Sequence, residues 1–136
     1  MSVPHPEVCV GAVALHRGRL LMVRRGRGVA AGEWSIPGGR VEMGETLAGA
    51  VVREVFEETG LEGICGALAG WVERIDSDFH QVILDFHTEV HEPEPLVAAD
   101  DALEARWVPL TEVSELHLVS GLAAVLSDNG CIELIV

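Results

Sequence analysis

The segment from Thr46 to Thr59 constrains this chain most. It has helix-forming composition, with Thr46 placed to cap its start and Gly60 to stop it just beyond its end. On a helical wheel Leu47, Ala50 and Val51 form an apolar stripe, and the same stripe runs on into Glu54, Glu57 and Glu58. Positions i, i+3 and i+4 share a face, so three carboxylates are brought together where core residues are expected. Mutual repulsion, the unfavourable end of the helix dipole and any burial all oppose their charge. One neighbouring cation, Arg53, cannot neutralise three acids. Two readings follow: a solvated acidic face, or a set of oxygen ligands for a hard divalent cation.

Around this helix the signals alternate between strand and helix. Val8 to Leu15 and Leu20 to Arg24 are apolar runs separated by His16-Arg17-Gly18-Arg19, which predicts a hairpin. Arg25 to Gly32 is too glycine-rich for regular structure, and Trp34-Ser35-Ile36 reads as a short strand stopped by Pro37-Gly38-Gly39. Two strands are expected near Ile64 to Ile75 and Gln81 to Val90. In the second, Val82, Leu84, Phe86 and Val90 form a core face, while Gln81, Asp85, His87 and Glu89 lie on a wet or functional one. His91 to Ala105 reads as a loop, Ala105 to Val108 as a short strand, and Glu112 to Leu126 as helical sequence interrupted near Gly121. Interspersed strands and helices point to one α/β domain with a mixed sheet over residues 1–136.

Composition removes several classes of function. Nine basic residues against 22 acidic ones give a formal charge of -13, which repels duplex nucleic acid and anionic membranes. The cations are all arginine, so lysine nucleophiles, Schiff bases and the lysine-dependent P-loop are excluded. No apolar run approaches the roughly 20 residues of a membrane helix. Met1 to Glu7 carries no export pattern, so a cytoplasmic location is expected. Cys9, Cys65 and Cys131 read as reduced, buried packing residues, and Trp34, Trp71 and Trp107 as core aromatics.

The residues upstream of the helix decide between the two readings of its acids. Gly39, Glu45, Arg53-Glu54-Val55, Glu57-Glu58 and Gly60-Leu61 reproduce, without gap or substitution, the pattern Gly-x5-Glu-x7-Arg-Glu-U-x-Glu-Glu-x-Gly-U, where U is aliphatic. In these residues the chain resembles the Nudix hydrolases. A chance match in a chain of this size is on the order of one in ten million. Pro37-Gly38-Gly39 and the Glu104 to Val108 segment are placed as in the family, so the resemblance covers about residues 8–126.

The resemblance implies an α/β/α sandwich with a mixed β-sheet, in which the signature forms a catalytic loop-helix-loop. It implies magnesium or manganese as cofactor, held by Glu54, Glu57, Glu58 and the Gly38 carbonyl. Arg53 would pair with one of these carboxylates, and Glu45 would orient the loop or a metal-bound water. Gly39 and Gly44 would serve the bend, with Gly39 also on the substrate side. The base that takes a proton from the attacking water falls on a glutamate of the signature or on Asp101, with Glu104 the next choice. Arg24 or Arg25 resembles a position that contacts the nucleotide, and His87 on its polar strand face and Glu104 are the further candidates for substrate contact.

The implied reaction is hydrolysis of a pyrophosphate bond in a nucleoside diphosphate linked to a group X. Sequence marks for finer assignment thin out. The proline of ADP-ribose hydrolases is replaced by Ile75-Asp76, no tyrosine is present for a diadenosine-polyphosphate mark, and Asn129 is the sole asparagine, outside the position used by triphosphatases of the MutT type. The His80 to Glu89 strand and Glu104 to Val108 look more like the ADP-ribose members. A nucleoside triphosphate is the competing substrate, a non-catalytic nucleotide-sensing module is the competing class, and a homodimer is expected because family members often pair.

Overall fold

The computed structural model describes residues 4–28 and 30–130. Strand β1 (Glu7–His16) turns through Arg17 and Gly18 into β2 (Arg19–Arg25). Both turn residues have positive φ, 49° and 75°, as a two-residue turn matched to strand twist requires. Two short strands follow, β3 (Trp34–Ser35) and β4 (Gly38–Arg40), then helix α1 (Leu47–Thr59). Strands β5 (Gly63–Ile75), β6 (His80–Val90) and β7 (Ala102–Pro109) precede two short helices, α2 (Leu110–Val113) and α3 (Leu122–Asp128).

The sheet is mixed. Its path runs β3-β2-β1-β6-β5, with β4 added beside β1 and β7 beside β2. β1 and β6 are parallel, pairing from Glu7 with Gln81 to Ala14 with Thr88, and the other ladders are antiparallel. A long first strand thus carries β4 on one side and β6 on the other, which brings Gly38, Gly11 and Asp85 into line across the sheet.

One face packs Val10, Ala12, Ala14 and Leu21 against Ala50, Val51 and Val55 of α1. The other packs Val13, Leu20, Met22 and Ile36 against Val113, Leu122 and Leu126 of the last two helices. This is the expected α/β/α sandwich. Helix α1 starts and ends as its sequence predicts: Thr46 Oγ1 accepts from Gly49 N at 3.0 Å, and Gly60 takes φ 75° with its N–H donated to Phe56 O.

Several expectations are corrected. Pro37-Gly38-Gly39 does not simply end a strand, because Gly38 and Gly39 are themselves in β4, paired with Gly11 and Val10. β7 begins at Ala102, inside the segment read as loop, because it pairs along most of β2. Leu47 is 37% exposed; Val55 continues the buried stripe instead, with Thr59 buried at the helix end. Neither face of β6 is wet throughout, since helices cover both, and Asp85 is more buried than Val82 or Leu84. Trp71 is 61% exposed on β5, while Trp34 lies in the core. Trp107 is half-buried, and its Nε1 donates to Pro93 O at 2.8 Å. Cys9 is buried and free, Cys65 is free but only half-buried, and Cys131 lies outside the described residues.

Candidate active site

A cleft of about 800 Å³ opens where the amino-terminal part of β4, the carboxyl end of α1 and the ends of β2 and β6 meet. Glu54, Glu57 and Glu58 all line it, as helical spacing demands. They differ in environment. Glu54 is 9% exposed, Glu58 is largely enclosed and Glu57 reaches solvent. Burial pushes the Glu54 and Glu58 carboxyls up, and hydrogen bonding between the two adds to the rise at Glu58. Gly38 N opposes it by donating to Glu58 Oε1 at 3.1 Å.

Arg53 organises the site. Its Nη1 donates to Glu54 Oε1 at 2.8 Å and to Glu57 Oε2 at 3.2 Å; its Nε and Nη2 donate to the two oxygens of Glu45 at 2.7 and 2.9 Å. Nη2 also donates to the Arg40 carbonyl at 2.9 Å. One planar fork therefore ties β4, the following loop and α1 together, which a lysine could not do. The Arg53 hydrogen bonds hold the Glu45 carboxyl down to about 2, helped by Glu42 N, which donates to Glu45 Oε1 at 3.1 Å.

The signature glycines have separate reasons. Gly44 has φ 84° with open space around it, so backbone conformation alone demands glycine. Gly39 is not at a positive φ, which corrects its reading as a bend residue. A side chain there would place Cβ 2.5 Å from Glu54 Oε1, so its absence makes room for the buried carboxylate.

This donor set suits a hard divalent cation: three carboxylates, two in enclosed positions where their charge is disfavoured, beside the backbone of Gly38. Among the described residues, no three histidine, cysteine or acidic side chains stand in ready coordination geometry. The signature carboxylates are instead tied to Arg53 and to each other.

The remaining predicted site residues separate. Arg24 and Arg25 both line the cleft, because the β2–β7 register shifts between them and breaks the alternation of faces. Arg25 lies near enough to Glu58 to favour its charged form. Asp101 also lines the cleft, but its carboxylate is engaged by Arg27. Glu104 faces Arg24 across the β2–β7 ladder at 3.6 Å and does not line the cleft. His87 is exposed and outside the cleft; its Nε2 meets Asn129 Oδ1 at 3.1 Å. Continuing the face of Asp85 does not bring it to the site, because Asn129 at the end of α3 meets it there.

Asp85, which the sequence marks only as one residue of a wet or functional strand face, is not among the predicted site residues. It lines the cleft at 3% exposure, and burial pushes its carboxyl up to about 6, against the pull of Arg74. Besides that periodicity, its sequence signal is an acid inside an apolar strand, Val82-Ile83-Leu84-Asp85-Phe86.

The sandwich and the acid-bearing loop-helix-loop define a class, and comparison with known proteins agrees. The model of the NUDIX domain matches residues 5–128, and the chain belongs to the Nudix hydrolase family. An ADP-ribose pyrophosphatase of Methanocaldococcus jannaschii is 37% identical over 114 residues, 82% of this chain and 67% of that protein. A protein of Mycobacterium tuberculosis named putative mutator protein MutT4 is 34% identical over 66% of this chain but only 36% of its own length, so the chain spans little more than a third of that relative. Among solved structures, the MutT protein of Methanosarcina mazei superposes with a TM-score of 0.82 at 26% identity, covering 95% of this chain and 96% of that one.

Proposed function

We propose that the chain hydrolyses a pyrophosphate bond in a nucleoside diphosphate linked to X, with ADP-ribose or a similar sugar nucleotide as substrate. The observation that carries this is the Arg53-centred cluster. Glu54, Glu57 and Glu58 are held at one side of a cleft whose other walls present Arg24, Arg25 and Arg27. The similarity to the archaeal ADP-ribose pyrophosphatase supports the substrate class.

Magnesium or manganese, when bound by Glu54, Glu57, Glu58 and the Gly38 carbonyl, would neutralise phosphate oxygens and acidify a water. The arginines suit recognition of the phosphate chain. Arg53 and Glu45 fix the helix against the loop so that the carboxylates keep their register. We place the base on a signature glutamate, since Asp101 is held by Arg27 and Glu104 faces Arg24. Asp101 serves only if it leaves Arg27.

The second reading, a nucleoside triphosphate pyrophosphohydrolase, is favoured by the mycobacterial relative with a mutator name. Against it, Asn129 lies outside the cleft, its amide donating to Ala69 O and Val125 O. A non-catalytic sensing module is disfavoured by the full set of carboxylates. Under the proposed function the chain acts in the cytoplasm as a Nudix domain and pairs as a homodimer. Among the described residues no helix is long and apolar enough to cross a membrane.

The test is a product-resolved assay across ADP-ribose, sugar nucleotides, dinucleotides and canonical or oxidised triphosphates, with magnesium, with manganese and with chelator. Fastest turnover of a sugar nucleotide, lost in chelator and in Glu57→Gln and Glu58→Gln, is expected. Faster turnover of a triphosphate would replace the substrate assignment, and undiminished activity of both variants in chelator would remove the metal mechanism.

A further inference from the structure

At the wall of the cleft away from α1, β6 contributes a carboxylate that no part of the proposed chemistry uses. Asp85 sits opposite Gly11 in the parallel β1–β6 ladder, and a Cβ on Gly11 would stand 2.2 Å from Asp85 Oδ1. The missing side chain is the space into which the carboxylate leans. That same point is 2.9 Å from Ile36 Cδ1, so an apolar wall confines it. At 3% exposure Asp85 has no hydrogen bond and no ion pair within 4 Å among the described residues, Arg74 being the cation that acts on it from further off, and its side chain borders the cleft. A buried carboxylate to which no protein group donates is unfavourable unless water or a ligand in the cleft supplies the donors. Its cost is recovered when a ligand brings donors.

The position defines what those donors belong to. Gly38, whose N–H donates to Glu58, pairs with Gly11 on one side of β1, and Asp85 pairs with Gly11 on the other. Two strand spacings, roughly 10 Å, therefore separate the backbone beside the signature acids from the backbone of Asp85. A phosphate ester of a pentose is of that order of length. A carboxylate repels phosphate, which belongs with Arg24, Arg25 and Arg27, and so selects a neutral group rich in hydroxyl or N–H donors. No aromatic side chain among the described residues lines the cleft, so a base has no aromatic ring to stack on there. Gln81, Arg74 and Ser120 add polar groups to the cleft. This is the chemistry of a polyol site.

We propose that Asp85 is a specificity-determining residue that accepts hydrogen bonds from the vicinal hydroxyls of a pentose in the substrate. The proposal rests on the reading of the cleft as the nucleotide site. Either ribose of ADP-ribose has this chemistry, and deoxygenation of each in turn tells them apart.

The experiment measures kcat and KM in magnesium for wild type, Asp85→Asn and Asp85→Ala on ADP-ribose and on its two monodeoxy analogues, one lacking the 2′-hydroxyl of the adenosine and one the 2-hydroxyl of the terminal ribose. Thermal unfolding of each variant is followed in parallel. Wild type should lose about tenfold to a hundredfold in kcat/KM, chiefly through KM, on one of the two analogues. The Asp85 variants should lose a similar factor on ADP-ribose and less than about threefold more on that analogue, and Asp85→Asn should unfold at the same temperature as wild type or higher. Equal losses on all three substrates, a wild type indifferent to both deoxygenations, or a lower unfolding temperature for Asp85→Asn would overturn the proposal. If the wild type instead turns over triphosphates and not ADP-ribose, the substrate reading fails by itself, and the ATP and dATP pair decides on Asp85 by the same criteria.

Discussion

Arg53 and Glu45 face each other as a bidentate pair, Nε to Oε2 at 2.7 Å and Nη2 to Oε1 at 2.9 Å, across eight residues of sequence and the start of a helix. The remaining donor, Nη1, reaches Glu54 and Glu57. An ion pair that also fixes the loop orders the site more than it stabilises the fold, because Arg53 borders the cleft and the two side chains keep 22% and 18% exposure.

Arg53→Lys keeps the charge and loses the fork. We expect kcat to fall by about a hundredfold or more while the unfolding temperature changes by a few degrees at most. Kinetics and thermal unfolding on the same preparation check this; a variant with near wild-type turnover would show that charge alone is required.

Gly39→Ala and Gly44→Ala separate space from backbone conformation. Alanine at 39 meets the Glu54 carboxylate, the movable end of a side chain, so the fold should survive and turnover should drop by roughly tenfold to a hundredfold. Alanine at 44 meets nothing but must hold φ near 84°, costing about 1 kcal/mol with activity kept. Denaturant unfolding and steady-state rates should therefore rank the two variants in opposite orders.

Asp85→Asn should change stability in a pH-dependent way. The folded carboxyl stands at about 6, above its ordinary 3.8, so the native state binds more protons between these values and stability falls as pH rises through that window. Below about pH 4 the penalty is absent; above about pH 6 it is complete. Asparagine removes it, so the variant should match wild type near pH 4 and exceed it by on the order of 2–3 kcal/mol at pH 7–8. Urea unfolding of both proteins in chelator across pH 4 to 8 reads the difference, and a constant offset would contradict the assignment.

Asp101→Asn tests the base. With Arg27 already holding Asp101, the variant should keep kcat within about fivefold, whereas Glu57→Gln or Glu58→Gln should lose orders of magnitude. A comparable collapse in Asp101→Asn would move the base to the loop before β7.

Helix α1 was legible because its signals are local. Thr46, Gly60 and the spacing of Glu54, Glu57 and Glu58 depend on neighbours within a few turns, and the signature containing them carried family, fold class and cofactor expectation. Strand faces were less legible: covering both sides of the sheet buried Asp85 and Thr88, while Trp71 stayed exposed on β5. Tertiary structure alone decided which partner each distant charge takes. Arg27 claims Asp101 across 74 residues, Arg24 faces Glu104, and His87 meets Asn129 rather than the cleft. It also decided why Gly39 is glycine and where Asp85 points, since both depend on strand pairings that bring remote residues within a few ångströms. Periodicity records which residues share a face of one element; it does not record what another element lays against that face.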